Sequence, residues 1–170
     1  MSRMWLLLLL GSLIALLAFL LFRNDLRILN PKYLQLKDAI RAQRKLYGFP
    51  EFFDKLILAQ AYHETGILRS LLFDKHNNAF GMKYPRKRST TAIGGTGTDE
   101  NDLGYARYAS VEDSVRDLFL WFAYVGFPKI PEPGSTPQNW YVGQLKLKNY
   151  FEDSFINYLR GVNNALDLIG

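Results

Sequence analysis

Apolar residues run without a charge from Met4 to Phe22, interrupted only by Gly11 and Ser12 and bracketed by Arg3 and Arg23. These nineteen residues, at about 1.5 Å each in a helix, just cross a hydrocarbon layer of roughly 30 Å. A cleaved signal peptide has a shorter apolar core and a small-x-small cleavage site. Ala15-Leu16-Leu17-Ala18 is a poor version of that site, so the pattern predicts an uncleaved anchor within residues 1–23. Residues 24–30 then form a short tether.

From Asn30 the pattern turns periodic. Asn30-Pro31 is a helix start, and Tyr33, Leu36, Ile40 and Tyr47 keep helical spacing as far as Gly48. A second helix is predicted from about Pro50 to Thr65, stopped by Gly66. Phe53, Leu56, Ile57, Gln60 and Glu64 share one stripe of it, with Glu51, Asp54 and Lys55 opposite. Residues 67–79 read as irregular, with Asn77-Asn78 as a turn. From Phe80 to Tyr108 helix signals vanish, and Pro85, Gly94, Gly95, Gly97 and Gly104 predict a β-hairpin-like arm with a glycine-rich tip.

Ser110 caps a third helix, with Asp113 three positions on. Val111, Val115, Leu118, Phe119 and Phe122 form its apolar stripe, opposite Glu112 and Arg116. Gly126 to Asn139 holds four of the seven prolines and reads as a rigid surface loop. A short helix around Trp140–Leu147 follows. The last helix, about Asp153 to Leu168, is predicted to bury Phe155, Leu159, Val162 and Leu166. Residues 31–170 thus make one α+β domain, mostly α, with a small β lobe that leaves room for a groove.

Composition changes this picture little. A chain of 170 residues supports one domain with a real core. The net charge of +5 falls to +3 once Arg3 and Arg23 are set aside, a modest excess that suits an anionic polymer and does not call for nucleic acid. The run Lys83-Tyr84-Pro85-Arg86-Lys87-Arg88 is either a contact for substrate or phosphate or a solvated turn edge. Zero cysteines exclude disulfides and thiol chemistry. With Ile at position 67, His63-Glu64 lacks the second histidine of an H-E-x-x-H zinc site, and neither metal nor cofactor is expected.

Glu64 is the residue to explain. A carboxylate in an apolar stripe is costly unless paired, hydrated in a cleft or protonated. It is either a structural acid paired with an arginine such as Arg69 or Arg107, or a general acid whose pKa is raised by low polarity.

The run Ala59-Gln60-Ala61-Tyr62-His63-Glu64-Thr65-Gly66, followed by Asn77-Asn78-Ala79-Phe80-Gly81-Met82-Lys83, resembles the signature of the bacterial and phage glucosaminidases of glycoside hydrolase family 73. The likeness continues through Tyr105–Ser110 and Leu145–Phe151, covering roughly residues 50–165. It implies a lysozyme-like α+β fold and an endo-β-N-acetylglucosaminidase acting on peptidoglycan glycan strands, with Glu64 as general acid. The implied second carboxylate lies in the β lobe, where Glu100 is the candidate, with Asp102 and Asp99 behind it. If the two groups stand roughly 6.5–9.5 Å apart, inversion is expected.

The substrate's own 2-acetamido group is the other route, with Tyr150, the tyrosine of the family's G-Y stretch, assisting. Here Asn149 replaces the glycine and Phe151 the usual small residue. Asn78, Phe80, Gly81 and Tyr108 match positions expected to contact substrate. A lysozyme or lytic transglycosylase acting on the muramic linkage, and an inactive glycan-binding or envelope-scaffold module, are the alternatives.

Such an enzyme must reach the wall side of the membrane, yet one cation precedes the span and Arg23, Arg27, Lys32 and Lys37 follow it. The positive-inside bias therefore opposes the export that function requires. Export predicts that protease added to intact spheroplasts digests the domain; full protection would place it in the cytoplasm.

Overall fold

The computed structural model describes residues 31–98 and 103–170. The chain divides at Leu34, and Gln35–Gly170 is one compact unit. The predicted anchor (residues 4–22) and tether (24–30) lie outside the described residues, as do Asp99, Glu100 and Asp102. Among the described residues no helix is long and apolar enough to cross a membrane.

Six helices and one two-stranded sheet are described: α1 (Pro31–Tyr47), α2 (Phe53–Glu64), α3 (Leu71–His76), β1 (Gly94–Gly95), β2 (Ala106–Arg107), α4 (Val111–Val125), α5 (Pro137–Leu147) and α6 (Phe155–Ile169). Short polar side chains start four of them. Ser70, Ser110, Thr136 and Ser154 each accept a hydrogen bond from the backbone N–H three residues on, satisfying a donor that the first turn leaves open. The domain is α+β and mostly α, as the periodicity predicts.

At the centre lies α2, which is buried almost all round. Every residue from Leu56 to Tyr62 is buried, so the single stripe expected of it is too narrow; a helix apolar on all sides is a core helix. The Phe53 ring meets Phe49 at 4.7 Å and stands edge-on to Tyr141 and Trp140, both at 5.8 Å. Phe119, Phe122 and Phe127 extend the cluster from α4 and the turn after it. Burying one such ring contributes roughly 1.5–3 kcal/mol. Gln60, fully buried, accepts the Tyr141 hydroxyl proton at 2.5 Å.

Two expectations need correction. Residues 67–79 are not irregular throughout: Ser70 caps α3, and Asn77 ends it in the left-handed conformation at φ +52°. Six residues are too few to show a period, although both caps stand in the sequence. In α6 the buried line is Tyr158, Val162 and Ala165, while Phe155, Leu159 and Leu166 are half-buried along its flanks. The face is turned by about one position because α6 packs mainly on α2, with Tyr158 and Gly161 against Glu64 and His63.

The arm is a hairpin, as predicted, with very short strands. Gly94 pairs with Arg107 and Gly95 with Ala106, and Thr96 and Gly97 donate onward to the Tyr105 and Leu103 carbonyls. On its other side the same segment bridges Lys83 to Tyr105. A bidentate ion pair ties the arm to α4: Arg88 donates to both oxygens of fully buried Asp117, each at 2.8 Å. Burial alone would raise the Asp117 carboxyl, but hydrogen bonds from Arg88 and Tyr108 and the Arg88 charge hold it below the usual range. Part of the basic run is therefore buried structure and not a solvated edge.

Gly161 sets how closely α6 approaches α2, since a Cβ there would run into the His63 ring. Gly161→Ala is expected to destabilise the fold by about 1–3 kcal/mol in chemical denaturation, the range for overpacking. Gly143→Ala is the control. Its Cβ would meet only Phe155 at 3.9 Å, so helix propensity should leave stability equal or higher.

Candidate active site

Glu64 is the last residue of α2, and the chain turns sharply after it. Gly66, Ile67 and Leu68 all adopt left-handed backbone, at φ +55°, +63° and +60°. For a β-branched residue such as Ile67 that conformation costs about 1–2 kcal/mol. Buried Thr65 holds the turn: its hydroxyl donates to the Ala61 carbonyl at 2.6 Å and accepts from the Leu68 N–H at 2.8 Å. The carboxyl therefore sits at the negative end of a helix dipole, where its anionic form is disfavoured.

The surroundings act the same way. Burial pushes the Glu64 carboxyl up to about 7, against a hydrogen bond from Tyr158 that works to lower it. The Tyr158 hydroxyl donates to Oε1 at 2.5 Å. On the side of Oε2 stands Gly81, at φ +60°, where a Cβ would come within 3.0 Å of that oxygen. Glycine is thus needed twice over, for its backbone angle and for the room it leaves the acid, and it also lines the cleft. No lysine or arginine forms an ion pair with Glu64 among the described residues, so neither Arg69 nor Arg107 fills that role.

Tyr158 is itself fixed on both faces. Phe151 stacks on it at 3.8 Å, and the His63 ring meets it edge-on at 4.6 Å. Burial lowers the His63 pKa despite the opposing Asp153 charge, so the ring stays neutral near pH 7. Lys146 donates to the carbonyls of Phe151, Glu152 and Asp153 and closes the loop that carries the stacked ring.

Glu64 opens into a cleft of about 530 Å³ that Gly81, Tyr84, Tyr105, Trp121 and Tyr150 help to line. Tyr150 lines the same cleft as Glu64. Its hydroxyl donates to the Phe80 carbonyl at 2.6 Å, and its ring lies against Trp121 at 4.9 Å. Asn149 keeps φ +55°, a left-handed conformation that asparagine tolerates.

The other expected contacts divide differently. The ring of Phe80 is buried. Asn78 is fully buried and spends its amide on the turn, donating to the Met82 and Ala106 carbonyls and accepting from the Phe80 and Met82 N–H groups. Tyr108 is buried too, and its hydroxyl donates to Asp117 at 2.8 Å. Both hold the fold, and neither lines the cleft. Tyr105, Trp121 and Glu152, a second carboxylate on the cleft wall, and Tyr158, which bonds Glu64, were not among the site residues read from the sequence. Among the described residues no group of three or more His, Cys, Asp or Glu could hold a metal.

The sequence from residue 36 to 165 matches the glucosaminidase family, described as mannosyl-glycoprotein endo-β-N-acetylglucosaminidase. The chain belongs to the glucosaminidase family. Comparison with curated proteins finds no match. Among solved structures, the fold is similar to a chain in the structure of a type VI secretion system effector–immunity complex from Pseudomonas protegens. The two are 17% identical with a TM-score of 0.52, over 81% of this chain and 93% of that one. That likeness is one of fold.

In this glucosaminidase-family site, a carboxyl near half protonation at pH 7 can act as a proton donor. Tyr158→Phe removes the hydrogen bond that favours the anion while keeping the stacked ring. The Glu64 titration, followed by carboxyl NMR, should move above its wild-type midpoint near 7. An unmoved or lowered midpoint would mean that Tyr158 does not set the proton.

Proposed function

We propose that the protein is an endo-β-N-acetylglucosaminidase that hydrolyses the glycan strands of peptidoglycan with Glu64 as general acid. The observation that carries this reading is the Glu64 carboxyl, pushed up to about 7 by burial and open to a cleft. Membership of the glucosaminidase family supports it.

In the proposed reaction, protonated Glu64 gives its proton to the glycosidic oxygen as the bond to the anomeric carbon breaks. Positive charge develops on the sugar, and water completes the hydrolysis. Glu100 is the proposed second carboxylate, lying in the connection between the paired residues Gly97 and Leu103. Tyr150 keeps a neutral hydroxyl, because burial raises its pKa well above the usual range. With its proton committed to Phe80, its oxygen serves as an acceptor beside the substrate. In the proposed setting, residues 4–22 anchor the protein and the domain faces the wall.

The acid must be protonated to work, so activity is expected to fall as pH rises through about 7. Glu64→Gln should lose about 10²-fold or more of wall-clearing activity in a zymogram, the range for general acid catalysis. Mass spectrometry of digested sacculi should find new reducing ends on N-acetylglucosamine. Muramic or anhydro-muramic ends would reassign the bond, and an active Glu64→Gln protein would remove the assigned acid.

A further inference from the structure

A second cavity adjoins the cleft at Trp121. Lys83, Tyr84, Pro85, Arg88 and Trp121 line both the Glu64 cleft and this cavity of about 600 Å³. The second cavity runs along the segment before the arm and across α4 to Tyr124. Its chemistry differs from that around Glu64. Lys83, Arg86 and Lys87 are exposed along it, and no acidic side chain lines it among the described residues. The Glu64 part of the cleft carries two carboxylates, Glu64 and Glu152.

The floor is aromatic. Trp121 and Tyr124 lie three residues apart and so share one face of α4. Tyr124 is 62% exposed and belongs to none of the core ring contacts. An aromatic floor suits the apolar face of a sugar or an alkyl chain, and flanking cations suit carboxylates. Arg88, the residue best shaped for a bidentate anion, is already committed to Asp117. Lys83 and Lys87 stand four residues apart along the segment, a spread that fits several carboxylates along a short chain better than one phosphate.

We propose that this extension is a subsite for an acidic peptide arm carried by the glycan strand, one end of which lies at Glu64. The proposal rests on the glycan-hydrolase reading of the cleft. The subsite makes a strand that bears peptide a better ligand than a bare one, and it fixes which way the strand lies across Glu64.

The test measures binding by the Glu64→Gln protein, which keeps both cavities. Its ligands are soluble glycan strands with peptide arms and the same strands stripped of peptide by an amidase. Arm-bearing strands should bind about tenfold more tightly than stripped strands, the sum expected of a few partly solvated ion pairs. Adding Lys87→Glu, a surface change in the extension alone, should reduce that ratio to about twofold or less and leave stripped strands bound as before.

Equal binding of the two strands, or a Lys87→Glu effect of the same size on both, would overturn the proposal. So would competition by inorganic phosphate as effective as that by the free peptide, because it would assign the cations to phosphate. Cleavage by the Glu64→Gln protein would refute the acid assignment without touching the binding ratio, so the two readings fail separately.

Discussion

A single carboxyl in a dry place governs this architecture. Glu64 ends the most buried helix of the domain, and two forces act on it in opposition: exclusion of water, which retains its proton, and the Tyr158 hydroxyl, which favours its loss. The balance near 7 requires α6 to lie close enough for that hydroxyl to reach 2.5 Å. The approach depends on Gly161 and on the rings of His63 and Phe151 that clasp Tyr158. Packing of α2 on α6 is thus also a setting of acidity.

The cleft is built from the far side by a different device. Asn77 and Asn78 fasten the turn after α3 to the segment around Tyr108, and Ser114 receives the Ala79 N–H from α4. Arg88 and Tyr108 converge on Asp117 and fix the arm. Buried ion pairs of this kind add little net stability, but removal of one partner typically costs about 3–5 kcal/mol. The arm is therefore held by geometry that tolerates few substitutions, while Gly81 brings its near end against the acid.

Much of this was legible in the sequence. Glu64 stood out because a charge in an apolar run demands a reason, and the helix after the arm announced itself through its cap, Ser110. Tyr158 was missed because the spacing of Phe155, Leu159 and Leu166 is just as helical as that of Tyr158, Val162 and Ala165. The approach of α6 to α2 at Gly161 favours the second. Asn78 and Tyr108 were assigned to substrate because an amide or hydroxyl that binds a sugar has the same chemistry as one that binds a backbone. The partner is a matter of tertiary structure, and no local pattern encodes it.

The two sets of cations differ in their exposure to solvent, and this has a consequence for ionic strength. Charges on the surface are screened beyond about 8 Å at physiological salt, and buried pairs much less. Lys83 and Lys87 are exposed, whereas the Arg88 side chain is 7% exposed and its partner fully enclosed. Added electrolyte would therefore weaken the attraction of the exposed cations for an anion long before it loosened the arm from α4. A concentrated medium would leave the molecule folded and blunt its preference for charged ligands.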